Sequence, residues 1–133
     1  RDRPVPGDNI GLVVESMQTG KRLFYAPGLG EVEPHVWAAM QSADVVMIDG
    51  TCWTSDELIA LGVSHKRAQD MGHMPLSEHG GTLDWLGRLP NTTRKILIHI
   101  NNTNPVLDED GPEHARIRDA GIELAYDTME FDV

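Results

Sequence analysis

Apolar residues along this chain keep two rhythms, unbroken short runs and positions spaced by three or four, and the two alternate. Ile10-Gly11-Leu12-Val13-Val14-Glu15 and Arg22-Leu23-Phe24-Tyr25-Ala26 read as strands, joined through Met17-Gln18-Thr19-Gly20-Lys21 as a hairpin. Asp44-Val45-Val46-Met47-Ile48-Asp49 and the 94–100 run, Arg94-Lys95-Ile96-Leu97-Ile98-His99-Ile100, are apolar almost throughout, as strands covered on both faces are. A last strand is expected over 122–126. Between these runs the spacing changes to that of helices. Residues 33–42 place Val36, Trp37 and Met40 on one face, and 56–61 follow the helix-start residues Thr54-Ser55. Leu83, Trp85, Leu86 and Leu89 form an amphipathic stripe after Gly80-Gly81-Thr82, and 112–120 has proline near its start and Gly121 past its end. The stretch between Gly62 and Gly72 reads as loop with one helical turn at 66–70. Pro27-Gly28-Leu29-Gly30 reads as a simple tight turn. Strands alternating with helices predict an α/β fold.

Composition narrows the function. With 133 residues the chain makes one domain, or a piece of one, large enough for a core. Its net charge is -10 and its few basic residues are dispersed, which argues against a partner bound through a phosphate backbone. Cys52 is the lone cysteine, so an internal disulfide or cysteine-rich zinc module is excluded; it reads as a small apolar filler and suits a reducing cytoplasm. No run approaches the roughly 20 apolar residues that span a membrane. The first residues, with Pro4, Pro6 and Gly7, form an entry loop lacking the apolar core of a signal peptide. The opening Arg1 is expected of a processed or truncated product.

Two buried-type strands end on ionisable groups, Asp49 and His99, and a third such group, His73, lies in a Gly-His-Met-Pro loop before a helix. If the two strands are neighbours, Asp49 and His99 share one sheet edge, with the His73 loop feeding in between. Two imidazoles and a carboxylate suit zinc or iron(II), and they suit proton transfer near neutral pH equally well. The three are too far apart in sequence to form a local metal motif. Each also has a plainer role: Asp49 capping the Gly50-Thr51 amides, His73 on a surface loop, His99 bonded to the amides that follow it. His35, His65, His79 and His114 read as solvated, the three tryptophans as core, and Asp108-Glu109-Asp110 as a solvated acidic face.

Asp49-Gly50-Thr51-Cys52-Trp53-Thr54, Met71-Gly72-His73-Met74-Pro75-Leu76-Ser77, Gly80-Gly81 and above all Ile98-His99-Ile100-Asn101-Asn102-Thr103-Asn104-Pro105 resemble the pyrroloquinoline quinone (PQQ) biosynthesis protein B family. That family has the metallo-β-lactamase fold, an αββα sandwich, and residues 1–133 resemble its C-terminal half, with a mixed sheet, flanking helices and the N-terminal half missing. The resemblance implies that His99 is the superfamily's last metal-ligand histidine. It makes His73 the loop histidine that serves catalysis in the related ribonuclease Z branch, with Asp49 supporting the site; His73 and Asp49 are thus catalytic candidates, and all three are metal candidates. The implied cofactor is a divalent transition metal, iron(II) or zinc, in a site this chain completes only in part. The implied role is iron-dependent oxidation or hydroxylation of a tyrosine-derived PQQ precursor in the cytoplasm, or carriage of PQQ or its precursor to the periplasm. The implied partners are that small-molecule or peptide-derived precursor, the N-terminal half and, in a homo-oligomer, a second copy; neither nucleic acid nor membrane is among them. A non-catalytic fragment or a ribonuclease Z-type hydrolase is also open. Departures are visible. The His-X-His-X-Asp-His cluster is absent, Pro27-Gly28 stands where the bridging aspartate is expected, and no histidine shortly precedes Gly11-Leu12. Thr128 stands where glycine is preferred, and Cys52 where an aromatic is usual.

Overall fold

The computed structural model describes Val5 and residues 8–133; Pro4, Pro6 and Gly7 of the expected entry loop lie outside them. Among the described residues five strands form one mixed sheet in chain order: β1 (Leu12–Glu15), β2 (Arg22–Ala26), β3 (Val45–Asp49), β4 (Arg94–Ile98) and β5 (Ile122–Leu124). β1 and β2 are the antiparallel hairpin read from the sequence, and β2 through β5 run parallel. Parallel neighbours need crossovers, and the helices supply them: α1 (Pro34–Ser42), α2 (Glu57–Ala60), α3 (Thr82–Gly87) and α4 (Pro112–Asp119). The α/β expectation, a mixed sheet with flanking helices, holds.

Strand alternation sorts the side chains into two layers. Phe24, Ala26, Val46, Ile48 and Leu97 point to one face, where Met40 of α1, Leu86 of α3 and Ile117 of α4 close over them as the main core. Val45, Ile96 and Ile98 point to the other face, where, among the described residues, Leu23, Tyr25 and Met47 of the neighbouring strands and Ala125, Met129, Phe131 and Val133 of the C-terminal segment pack against them. β1 escapes both layers: Leu12, Val13 and Val14 are each about half exposed. β1 thus presents an exposed apolar surface among the described residues.

Boundaries moved where local geometry overrode the pattern. The expected 94–100 strand stops at Ile98, because His99 turns into the left-handed region at φ 56°. The turn expected at 66–70 is a 3-10 turn at Gln69–Met71, ended by Gly72 at φ 84°. A second 3-10 turn, Pro105–Leu107, was not foreseen; Asn104 starts it by accepting from Val106 N at 3.0 Å. Thr128 takes φ 68°, which gives the physical reason for the glycine preferred at its place. Trp37 and Trp85 pack on each other with centroids 5.3 Å apart, as core tryptophans should. His114 is not solvated: it is half-buried, with Nδ1 2.9 Å from the Val106 carbonyl. No helix among the described residues is long and apolar enough to cross a membrane.

Candidate metal centre

Register brings the site together. Asp49 pairs with Ile98 across β3 and β4, so the next residue of β4's path, His99, leaves the sheet at the same edge. Gly50 lets the two strand ends close in, donating to Ile98 O at 2.8 Å; a methyl on Gly50 would fall 3.1 Å from Leu97 Cβ and 3.3 Å from Ile98 O. Gly72 then reverses the chain after Gln69–Met71, and His73 is pinned by its own N–H to Ala68 O at 3.0 Å and by Met74 N to Leu29 O at 2.7 Å.

Asp49 is buried and accepts at both oxygens. Oδ2 takes Leu29 N at 3.0 Å and lies 2.6 Å from His73 Nδ1; Oδ1 takes Thr51 N at 3.0 Å and the Thr51 hydroxyl at 2.5 Å. Four donors around one buried carboxylate are what its ionised form needs away from water. The expected cap on the 50–51 amides is therefore real at Thr51, and it coexists with the contact to His73. The Pro27–Gly30 segment is more than a turn, because it delivers the Leu29 N–H to Asp49.

His99 does not bond the amides after it. Its Nδ1 lies 2.8 Å from Thr51 Oγ1 and 3.8 Å from Asp49 Oδ1, and its ring stacks on His73 with centroids 5.3 Å apart at 24°. His73 is mostly buried, whereas His99 is 56% exposed and forms the open side of the site. A non-glycine residue in the left-handed region costs roughly 1 kcal/mol or more, so the surroundings must hold it there. They do so through Asn101 N to Thr51 O at 3.1 Å and Asn104 Nδ2 to Gly50 O at 2.9 Å. A second brace lies beneath. Buried Glu57 accepts Trp53 N at 2.7 Å and the Thr103 hydroxyl at 2.6 Å, and Thr103 in turn accepts from Asn101 Nδ2 at 2.6 Å.

One donor atom from each of Asp49, His73 and His99 lies within 4.8 Å of the others, the only such metal-capable group found among the described residues. Two imidazoles and a carboxylate fit a divalent transition metal such as zinc. His35, His65 and His79 are exposed, as expected. Buried Cys52 sits below the site with its thiol pushed up to about 11, first by burial and then by the Glu57 and Asp49 carboxylates; it is filler. Sequence reasoning missed Thr51, Glu57, Thr103 and Asn104 as site braces. The short polar residues flanking both strand ends were the available signal, but polar loop residues usually face water.

Residues 1–100 match the family described as β-lactamase superfamily domain. The chain belongs to that superfamily. It is 63% identical over 129 residues to coenzyme PQQ synthesis protein B of Azoarcus sp. (strain BH72), covering 97% of this chain and 42% of that protein. The protein of the same name from Methylococcus capsulatus is 55% identical over 130 residues, covering 98% of this chain and 42% of that protein. The chain thus spans less than half the length of these relatives. The crystal structure of zinc-bound PqqB from Methylobacterium extorquens superposes with a TM-score of 0.87 at 35% identity, covering 94% of this chain and 44% of that one. The resemblance to the PQQ biosynthesis protein B family rests on these alignments as well as on the His99–Pro105 run.

Proposed function

We propose that this chain serves coenzyme PQQ biosynthesis, contributing one wall of a metal site that oxidises or hydroxylates a tyrosine-derived PQQ precursor. The observation that carries the reading is the convergence of Asp49, His73 and His99 at the joint edge of β3 and β4 in a chain 63% identical to a PQQ synthesis protein B. A divalent ion bound there supplies a Lewis acid and, as iron(II), an electron donor. His99, exposed on the open side, would ligate the ion. Asp49 accepts from His73 Nδ1, which orients that ring and leaves Nε2 to take up and return a substrate proton. The stacked rings keep proton transfer beside the ligand position. The remaining ligands come from an N-terminal half. The half-exposed Leu12, Val13 and Val14 support this, because that apolar surface calls for a covering layer. A reducing cytoplasm accords with the single buried Cys52.

Carriage of PQQ or its precursor to the periplasm is the second reading, favoured by Pro27-Gly28 where a bridging aspartate would stand. Elemental analysis after anaerobic reconstitution with iron(II) separates the two, using the full-length form and a His99→Ala variant. About one ion per chain, lost in the variant, is the expected result. Metal no higher than background in both forms would overturn the site and move carriage to first place.

A further inference from the structure

The Thr51 hydroxyl sits at the centre of the site, with no role in the chemistry so far described. Oγ1 lies 2.5 Å from Asp49 Oδ1, 2.8 Å from His99 Nδ1, 3.1 Å from His73 Nδ1 and 3.0 Å from the His99 carbonyl. A hydroxyl has one proton to give and lone pairs to receive. The carboxylate is the strongest of these acceptors and the nearest, so the proton goes to Asp49. His99 Nδ1 then faces a lone pair and must carry its own proton. His73 Nδ1, at 2.6 Å from Asp49 Oδ2, faces an acceptor-only oxygen and must be protonated for the same reason. In a neutral imidazole a proton on Nδ1 leaves Nε2 free.

We propose that Thr51 is a positioning residue whose hydroxyl links Asp49 to His99, fixing the Nδ1–H tautomer of His99 and leaving its Nε2 as the ligating nitrogen. The backbone of Thr51 is suited to this. Its N–H donates to Asp49, and its carbonyl accepts from Asn101 N and, at 3.4 Å, from Asn104 Nδ2, so the main chain that carries the hydroxyl is held at the site. His73 has Asp49 directly and does not need Thr51; His99, at 3.8 Å from that carboxylate, does. Metal-bound histidines as a class depend on such a partner at the other nitrogen, and losing it lowers metal affinity about 10- to 100-fold. Only the ligation step rests on the proposed function; the tautomer needs no metal.

The test uses the full chain with Thr51→Val, which keeps the shape and removes the hydroxyl, and Thr51→Ser, which keeps the hydroxyl. Long-range proton–nitrogen correlation spectra of the metal-free protein, with the rings neutral, read each tautomer. Zinc affinity is read by competition with a chromogenic chelator. The parent and Thr51→Ser are expected to hold His99 as Nδ1–H. In Thr51→Val, His99 becomes a tautomer mixture with zinc affinity down about tenfold or more, while His73 stays Nδ1–H. A parent His99 protonated on Nε2 overturns the proposal even if the valine variant does not fold. So does a valine variant whose His99 tautomer is unchanged, or a serine variant that behaves like valine. If the parent binds no zinc yet His99 changes tautomer in Thr51→Val, the metal reading fails and the Thr51 assignment stands.

Discussion

Replacing Asp49 by asparagine keeps the volume and exchanges one acceptor oxygen for a donor. The carboxylate is 1% exposed and receives two backbone donors, Leu29 N on Oδ2 and Thr51 N on Oδ1, besides the Thr51 hydroxyl and His73 Nδ1. The side-chain partners can adapt, the hydroxyl by turning to the His99 carbonyl and His73 by moving its proton to Nε2. The backbone cannot. Whichever way the amide is oriented, one of the two N–H groups faces an NH2. An orphaned buried donor costs about 1–3 kcal/mol, and the surviving bonds lose their charge assistance, about 1 kcal/mol more. Asp49→Asn in the full chain should therefore lose about 2–4 kcal/mol in urea unfolding, read by tryptophan fluorescence with an unchanged m-value. A loss within about 0.5 kcal/mol, the range of an ordinary surface substitution, would refute the four-donor account of this carboxylate.

Two further outcomes follow from the same structure. Cys52, with its thiol raised to about 11, exposes a thiolate fraction of about one in a thousand at pH 8 and is 1% exposed. Ellman's reagent should label it only on unfolding, and rapid labelling of the native chain would contradict its burial. Arg94 holds the Glu123 carboxyl below its ordinary range through hydrogen bonds at 2.7 and 2.9 Å. A depressed folded value means stabilisation present above the unfolded carboxylate range and lost as pH falls through the folded one. Because both groups are more than a third exposed, Glu123→Gln should cost under about 1 kcal/mol at neutral pH. The two stability curves should then merge in acid; a gap that survives full protonation of the carboxylates would show that the ion pair is not its cause.

By itself the sequence determined the order and type of nearly every element. Unbroken apolar runs such as Val45–Ile48 and Ile96–Ile98, short and rich in β-branched residues, read as covered strands, and stripes such as Leu83, Trp85 and Leu86 read as one-sided helices. It also singled out Asp49, His73 and His99, because an ionisable group closing an apolar run, or set in a glycine-proline loop, stands out against its neighbours. Strand ends and bonding partners were decided by tertiary structure. β4 ends two residues before the expected end because His99 turns into the left-handed region, where its carbonyl accepts from the Thr51 hydroxyl, distant in sequence, while the nearby Asn104 ties the following loop to Gly50 O. The half-burial of His114 depends on the Val106 carbonyl eight residues away and a 3-10 turn that hydropathy does not mark. Thr51 and Glu57 look like any loop threonine and helix-start glutamate until register brings β3 against β4. Hydropathy records how much of a side chain leaves water; which atom it then meets depends on chain crossing, and that was decided only on folding.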